Sequence, residues 1–170
     1  ARNQRVYLSY AEPRGDGKNG TSVARAKLGP KGLEDLTVIF RQQPAMASRH
    51  HFGSRLVFGR DGNLFVTLGD RNSGRDQVQL LDNHIGKVVR IDRDGKALAD
   101  NPYRKQAGAL PEIWSIGHRN IQGAALDPAT GDLWTNEHGP KGGDELNHTL
   151  GGRNYGWPLV THGVEYSGKP

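Results

Sequence analysis

The chain has 170 residues, with 23 Lys+Arg, 18 Asp+Glu, 7 His and no Cys. Without Cys there is no disulfide framework, no Cys-ligated zinc or iron–sulfur centre, and no thiol catalysis. The 24 Gly and 9 Pro cut the chain into short segments and argue against long helices. No run of about 18 apolar residues occurs, so no membrane span is predicted. The net charge of +5 comes from scattered basic residues. A basic surface therefore explains it better than a nucleic-acid partner. The chain begins at Ala1 without a basic-then-apolar leader, which reads as a processed or truncated N-terminus.

In chain order, Arg5 to Tyr10 reads as an inner strand and Thr21 to Gly29 as another. From Arg55 to Asp70, two short apolar runs flank Arg60-Asp61-Gly62-Asn63, a hairpin signature. Asp70 to Leu81 reads as a polar loop and Gly86 to Gly95 as a third strand-like segment, with a second long loop over Asp94 to Pro111. The hairpin pattern then returns from Gly123 to Asn136, with Asp144 to Asn147 following it. Gly62 and Gly131 stand 69 residues apart, as do Leu64 and Leu133, and Val23 matches Val88 at a spacing of 65. No window sustains an i, i+3, i+4, i+7 stripe, so a helical reading fails.

Repeated short strands with Gly-rich turns predict an all-β chain, a β-propeller of small antiparallel sheets. At 69 residues per blade the chain supplies roughly two and a half blades, while a closed ring needs at least about four. Residues 1–170 are therefore expected to be a section of a single propeller domain, an incomplete ring. Its end blades should be covered by the remaining blades or by a second chain.

Four clusters carry candidate chemistry. His50-His51 offers a general base near neutral pH. If the pair sits in a strand, its side chains point to opposite faces and only one reaches the channel. His118-Arg119-Asn120 offers a planar fork of donors for carboxylates, or an Arg that ties two loops together. Asn136 to Glu145 is a Gly/Pro-bent stretch rich in carbonyl and carboxylate oxygens, which suits calcium better than zinc. Gly151 to Pro158 pins Tyr155 and Trp157 between Gly and Pro, and packing is the expected job of Trp157.

Seven segments, in order, carry a resemblance: His51 to Leu56, Leu68-Gly69-Asp70, Gly86 to Arg90, Glu112 to Asn120, Asn136 to Pro140, Gly142 to Glu145, and Asn154 to Pro158. Together they resemble the glucose/sorbosone dehydrogenase family, soluble quinoproteins that use pyrroloquinoline quinone (PQQ), and in particular the bacterial aldose sugar dehydrogenases. The resemblance implies a six-bladed β-propeller, of which this chain is a partial arc of about two to three blades. It implies His51 as catalytic base with Asp70 orienting it, and Arg119 and Asn120 as PQQ contacts. It further implies Gly139 and Pro140 as carbonyl ligands of the calcium beside the quinone, with Glu145 and Tyr155 at a second, structural calcium. Ile121 stands where the family has Pro, and His50 precedes the base as a competing imidazole.

The reading that results is a quinoprotein oxidising the anomeric hydroxyl of an aldose to a lactone. The electron acceptor is unnamed, the location periplasmic or secreted by resemblance, and the isolated chain is expected to be inactive without its other blades. The alternative is a non-catalytic propeller module for binding. A calcium-dependent hydrolase ranks below both, because the central oxygens here are carbonyls rather than carboxylates.

Overall fold

The structure, a computed structural model, describes residues 3–168. Apart from one turn of 3-10 helix at Arg75–Gln77, regular structure among the described residues is strand. The first sheet comprises β1 (Arg5–Pro13), β2 (Asn19–Gly29) and β3 (Gly32–Arg41). The second comprises β4 (Gly53–Phe58), β5 (Leu64–Leu68), β6 (Lys87–Ile91) and β7 (Ile113–Ile116). The third comprises β8 (Ile121–Leu126), β9 (Leu133–Glu137) and β10 (Glu145–His148). Each sheet is an antiparallel meander in sequence order. β4 lies against β8, and β1 against β4 as β5 against β8, so β4 and β8 share one side of the arc and the first sheet begins with the counterpart of β5. The chain is an arc of a β-propeller.

The middle sheet explains the apolar runs. All five residues of β5 and all five of β6 are buried. Leu64, Val66, Leu68, Val89 and Ile91 pack towards the first sheet with Val23 and Phe40. Phe65 and Val88 point the other way, joining Ile121 and Leu133 of the third. A strand covered on both faces cannot alternate apolar with polar, and each fully buried Val or Leu contributes about 1.5–3 kcal/mol. The two repeated hairpins turn on glycines with left-handed backbone, Gly62 (φ 78°) and Gly131 (φ 85°).

The structure departs from the sequence reading in two places. Thr21–Gly29 is a strand, and its match with Gly86–Gly95 holds: β1 runs to the same rim as β5, so β2 takes the place of β6 and the first sheet lacks only a counterpart of β4. The element not expected is β3, whose first six residues are all exposed. An edge strand with so little burial has no apolar signature to read. His50 and His51 do not lie in a strand either, since β4 starts at Gly53 and His51 has φ 48°.

Because the strands alternate in direction, loops 42–52, 69–86, 117–120 and 138–144 gather at one rim. Loop 92–112 lies at the other. Apolar side chains stay uncovered at both ends of the arc, with Leu36 54% exposed in β3 and Leu146 71% exposed in β10.

Candidate active site

The loops of the first rim enclose a cleft of about 360 Å³ whose lining includes His51, Arg119, Asn120, Gly139 and Pro140. Five of the residues singled out in the sequence thus meet at one place, although 89 positions separate His51 from Pro140.

His51 Nδ1 is 2.6 Å from Asp70 Oδ1, and only 2% of the Asp70 side chain is exposed. The carboxylate is held on both oxygens. Asn72 N donates to Oδ1 at 2.7 Å, and Trp157 Nε1 donates to Oδ2 at 2.8 Å. A carboxylate beside Nδ1 fixes the neutral tautomer with the proton on Nδ1, which leaves Nε2 as an acceptor. The left-handed turn at His51 separates it from His50, whose ring centre is 6.4 Å away and which is exposed. The divergence comes from that turn rather than from strand alternation.

The segment carrying His51 is anchored by Arg71, a fully buried guanidinium. It donates to His50 O at 2.9 Å, Ser48 O at 2.6 Å and Asn19 Oδ1 at 2.6 Å, and lies over the Phe52 ring. Burial lowers Arg71 to about 10, against the opposing pull of Asp70.

Arg119 does what the plainer expectation said and ties two loops together. Its NH1 donates to His138 O at 2.9 Å and Gly139 O at 2.8 Å. Its Nε is buried with no hydrogen-bond partner, and the guanidinium lies 5.3 Å from the Trp157 ring centre. Behind it, Glu137 is 4% exposed and accepts from Arg119 N at 2.6 Å and Asn120 N at 3.3 Å. Burial alone would raise the Glu137 carboxyl, but His118 and these two amides hold it below its ordinary value. His118, fully buried, bridges Ser115 Oγ and Glu137 Oε1 and stacks on the Tyr155 ring.

The candidate metal residues divide. Gly139 and Pro140 line the cleft, and each carbonyl accepts one protein hydrogen bond, from Arg119 NH1 and from Gly143 N at 2.9 Å. Since a carbonyl oxygen has two lone pairs, each retains one. Glu145 and Tyr155 do not line it. Glu145 accepts from Asn147, while the Tyr155 hydroxyl sits between His148 O and Leu150 N. Among the described residues no group of three His, Cys, Asp or Glu side chains could hold a metal. The donors in the cleft therefore fit a hard cation completed by ligands from outside the chain. The unspent donor on Arg119 fits an anionic ligand.

Trp157, Glu137 and Arg71 were not expected to matter to the site. Trp157 packs with Val78 and Ile85 as anticipated, but its indole also reaches Asp70, 87 positions away. Nothing local to Gly156-Trp157-Pro158 signals that partner.

The family model described as Glucose / Sorbosone dehydrogenase matches residues 1–170. "Aldose sugar dehydrogenase YliI" of Escherichia coli is 48% identical over 170 residues, covering 99% of this chain and 46% of that protein. The crystal structure of the soluble aldose sugar dehydrogenase from Escherichia coli in its apo-form superposes with TM-score 0.94 at 46% identity, over 99% of this chain and 49% of that one. The PQQ-bound form of the aldose sugar dehydrogenase from Streptomyces coelicolor superposes with TM-score 0.81 at 28% identity, over 98% of this chain and 47% of that one. The chain spans about half the length of these relatives.

Proposed function

The chain belongs to the glucose/sorbosone dehydrogenase family, and from that premise we propose that it is a section of a single propeller domain of a quinoprotein that oxidises the anomeric hydroxyl of an aldose to a lactone. The observation that carries this reading is the His51–Asp70 pair facing the cleft of Arg119, Asn120, Gly139 and Pro140. With Nδ1–H held by Asp70, Nε2 is the atom that takes the hydroxyl proton. Asp70, anchored by Asn72 N and the Trp157 indole, keeps the ring oriented and supports the imidazolium as it forms.

Arg119 and Asn120 would hold the quinone, and the Gly139 and Pro140 carbonyls would hold calcium against it. When bound, PQQ supplies a hydride acceptor and calcium a Lewis acid that offsets negative charge on the quinone oxygen. Arg119 adds a fixed positive charge at the same wall of the cleft. Glu145 and Tyr155 are assigned to a second, structural calcium on the resemblance alone. The other quinone and sugar contacts fall to the remaining blades, which also cover the exposed ends of the arc, so these 170 residues are inactive by themselves. A periplasmic or secreted location follows from the same family reading. No helix among the described residues is long and apolar enough to cross a membrane.

The test uses the full-length protein loaded with PQQ and calcium, with aldose-dependent dye reduction as the readout. His51→Gln should abolish turnover, and His50→Gln should leave most of it. Equal losses would remove the assignment of the base.

A further inference from the structure

Two loops meet at the cleft, and each grips the backbone of the other. Glu137, the last residue of β9, reaches across to the first: its Oε2 accepts from the backbone N–H of Arg119 and of Asn120, at 2.6 and 3.3 Å. Arg119 reaches back: its NH1 donates to the carbonyls of His138 and Gly139, at 2.9 and 2.8 Å. His138 N donates to Asn120 O at 3.0 Å between them. The other carboxylate oxygen of Glu137 is also spent, on His118 Nδ1 at 2.9 Å and Asn147 Nδ2 at 3.0 Å. Four donors on one carboxylate fill its acceptor sites. Glu137 therefore has no capacity left for a metal, although it stands two residues from Gly139.

We infer that Glu137 and Arg119 form a reciprocal latch that makes the anion-binding arm, Arg119–Asn120, and the cation-binding arm, Gly139–Pro140, a single unit. Glu137 is a positioning residue whose effect is to couple the two ligands. The inference rests on the quinone and calcium reading above. A cation drawing on the second lone pair of Gly139 O fixes the backbone to which Arg119 is tied. An anion engaging Arg119 fixes the side chain that holds the Gly139 carbonyl. Whichever ligand arrives first has already ordered the other's arm, and the coupling is reciprocal by thermodynamic necessity. Charge and length both matter at position 137. A Gln amide turns an N–H₂ towards donors on one side and loses at least one pair of contacts whichever way it faces.

The experiment uses full-length protein stripped of both ligands. Binding of PQQ is followed by absorbance with and without calcium, and cation binding by sensitised terbium luminescence with and without PQQ. In wild type each ligand should tighten the other by the same factor, about 10-fold within the usual range for coupled sites. In Glu137→Gln both should still bind, with a smaller factor, the remainder being the direct contact between calcium and quinone. A second measurement needs no variant: calcium alone should slow hydrogen exchange at the amides of Arg119 and Asn120 in the wild-type protein. A folded Glu137→Gln protein with the wild-type coupling factor would overturn the latch, as would calcium binding that leaves those two amides unprotected. Wild type that binds neither ligand overturns the quinoprotein reading itself, which separates the two failures.

Discussion

Replacing Trp157 by Phe removes one hydrogen bond while keeping an aromatic ring. The indole N–H donates to Asp70 Oδ2 at 2.8 Å in a site where Trp157 is 7% and Asp70 1% exposed. Hydrogen bonds to charged groups are worth about 1.5–3 kcal/mol, and a buried oxygen left unpaired pays its full desolvation cost. Packing against Val78 and Ile85 is also trimmed, so stability alone cannot isolate the polar part. A double-mutant cycle with Asp70→Ala does so. In full-length protein, Trp157→Phe should lower stability by about 3 kcal/mol when Asp70 is present. In the Asp70→Ala background, where the acceptor is gone and only packing is lost, the same change should cost roughly 1 kcal/mol. If misalignment of Asp70 reaches the reaction, about 2 kcal/mol corresponds to a roughly 30-fold fall in kcat/KM. Chemical denaturation and dye reduction supply the two readouts. Additive effects across the cycle, with unchanged turnover in Trp157→Phe, would refute the claim that the indole holds the carboxylate.

Arg71→Met should be among the most damaging substitutions in the chain, at about 3–5 kcal/mol. It strands the oxygens of His50, Ser48 and Asn19 together in a buried place; a wild-type melting curve in the full-length variant would sink this. Glu12 is held down at about 2, chiefly by its hydrogen bond to Arg41, with Ser22 and Arg14 assisting against burial. Its folded value lies below the unfolded one, so the stabilisation is present above the ordinary carboxylate range and disappears as pH falls towards about 2. Arg41 is half-exposed, so screening by solvent keeps the effect small. Glu12→Gln should therefore melt earlier than wild type at pH 7, and the difference should vanish near pH 2; a gap that persists in acid would contradict the assignment.

What the sequence disclosed follows from where burial falls. The hairpins at Gly62 and Gly131 were legible because a left-handed turn needs Gly and the buried β5 is apolar at every position but Thr67. β3 was invisible because its first six residues face solvent. β7 was masked by being four residues long, beside the long loop of the far rim. The divergence of His50 from His51 was anticipated for the wrong physical reason, since a single left-handed residue performs it. Arg119 and Asn120 stand out because their donors belong to their own side chains, whereas Gly139 and Pro140, whose backbone carbonyls any residue would offer, are named by the family resemblance alone. The partners that hold them could not be picked out. Glu137 acts on Arg119 from 18 positions away and Trp157 on Asp70 from 87, and pairings at that distance leave no local pattern.

The rim also shows how a propeller stiffens loops that have no strand to pair with. Loop 69–86 crosses the rim without a sheet partner, so its carbonyls need donors from elsewhere. Two buried cations serve this loop and the segment beside it. Lys87 Nζ lies 2.6 Å from both Val78 O and Ile85 O, while Arg71 serves the segment before His51. Burial pushes Lys87 down to about 7 against the pull of Asp82, and the carbonyls around the amine are what make so dry a position tenable for an ammonium. Val78 and Ile85, fixed in this way, are the surface on which Trp157 rests and from which it reaches Asp70. The oxygens of the rim thus fall into two groups. Those of Val78, Ile85, Ser48 and His50 answer tethered cations and belong to the scaffold. Those of Gly139 and Pro140 line the cleft with one lone pair spent and one left over, which is the arrangement that leaves a cation from solution something to bind.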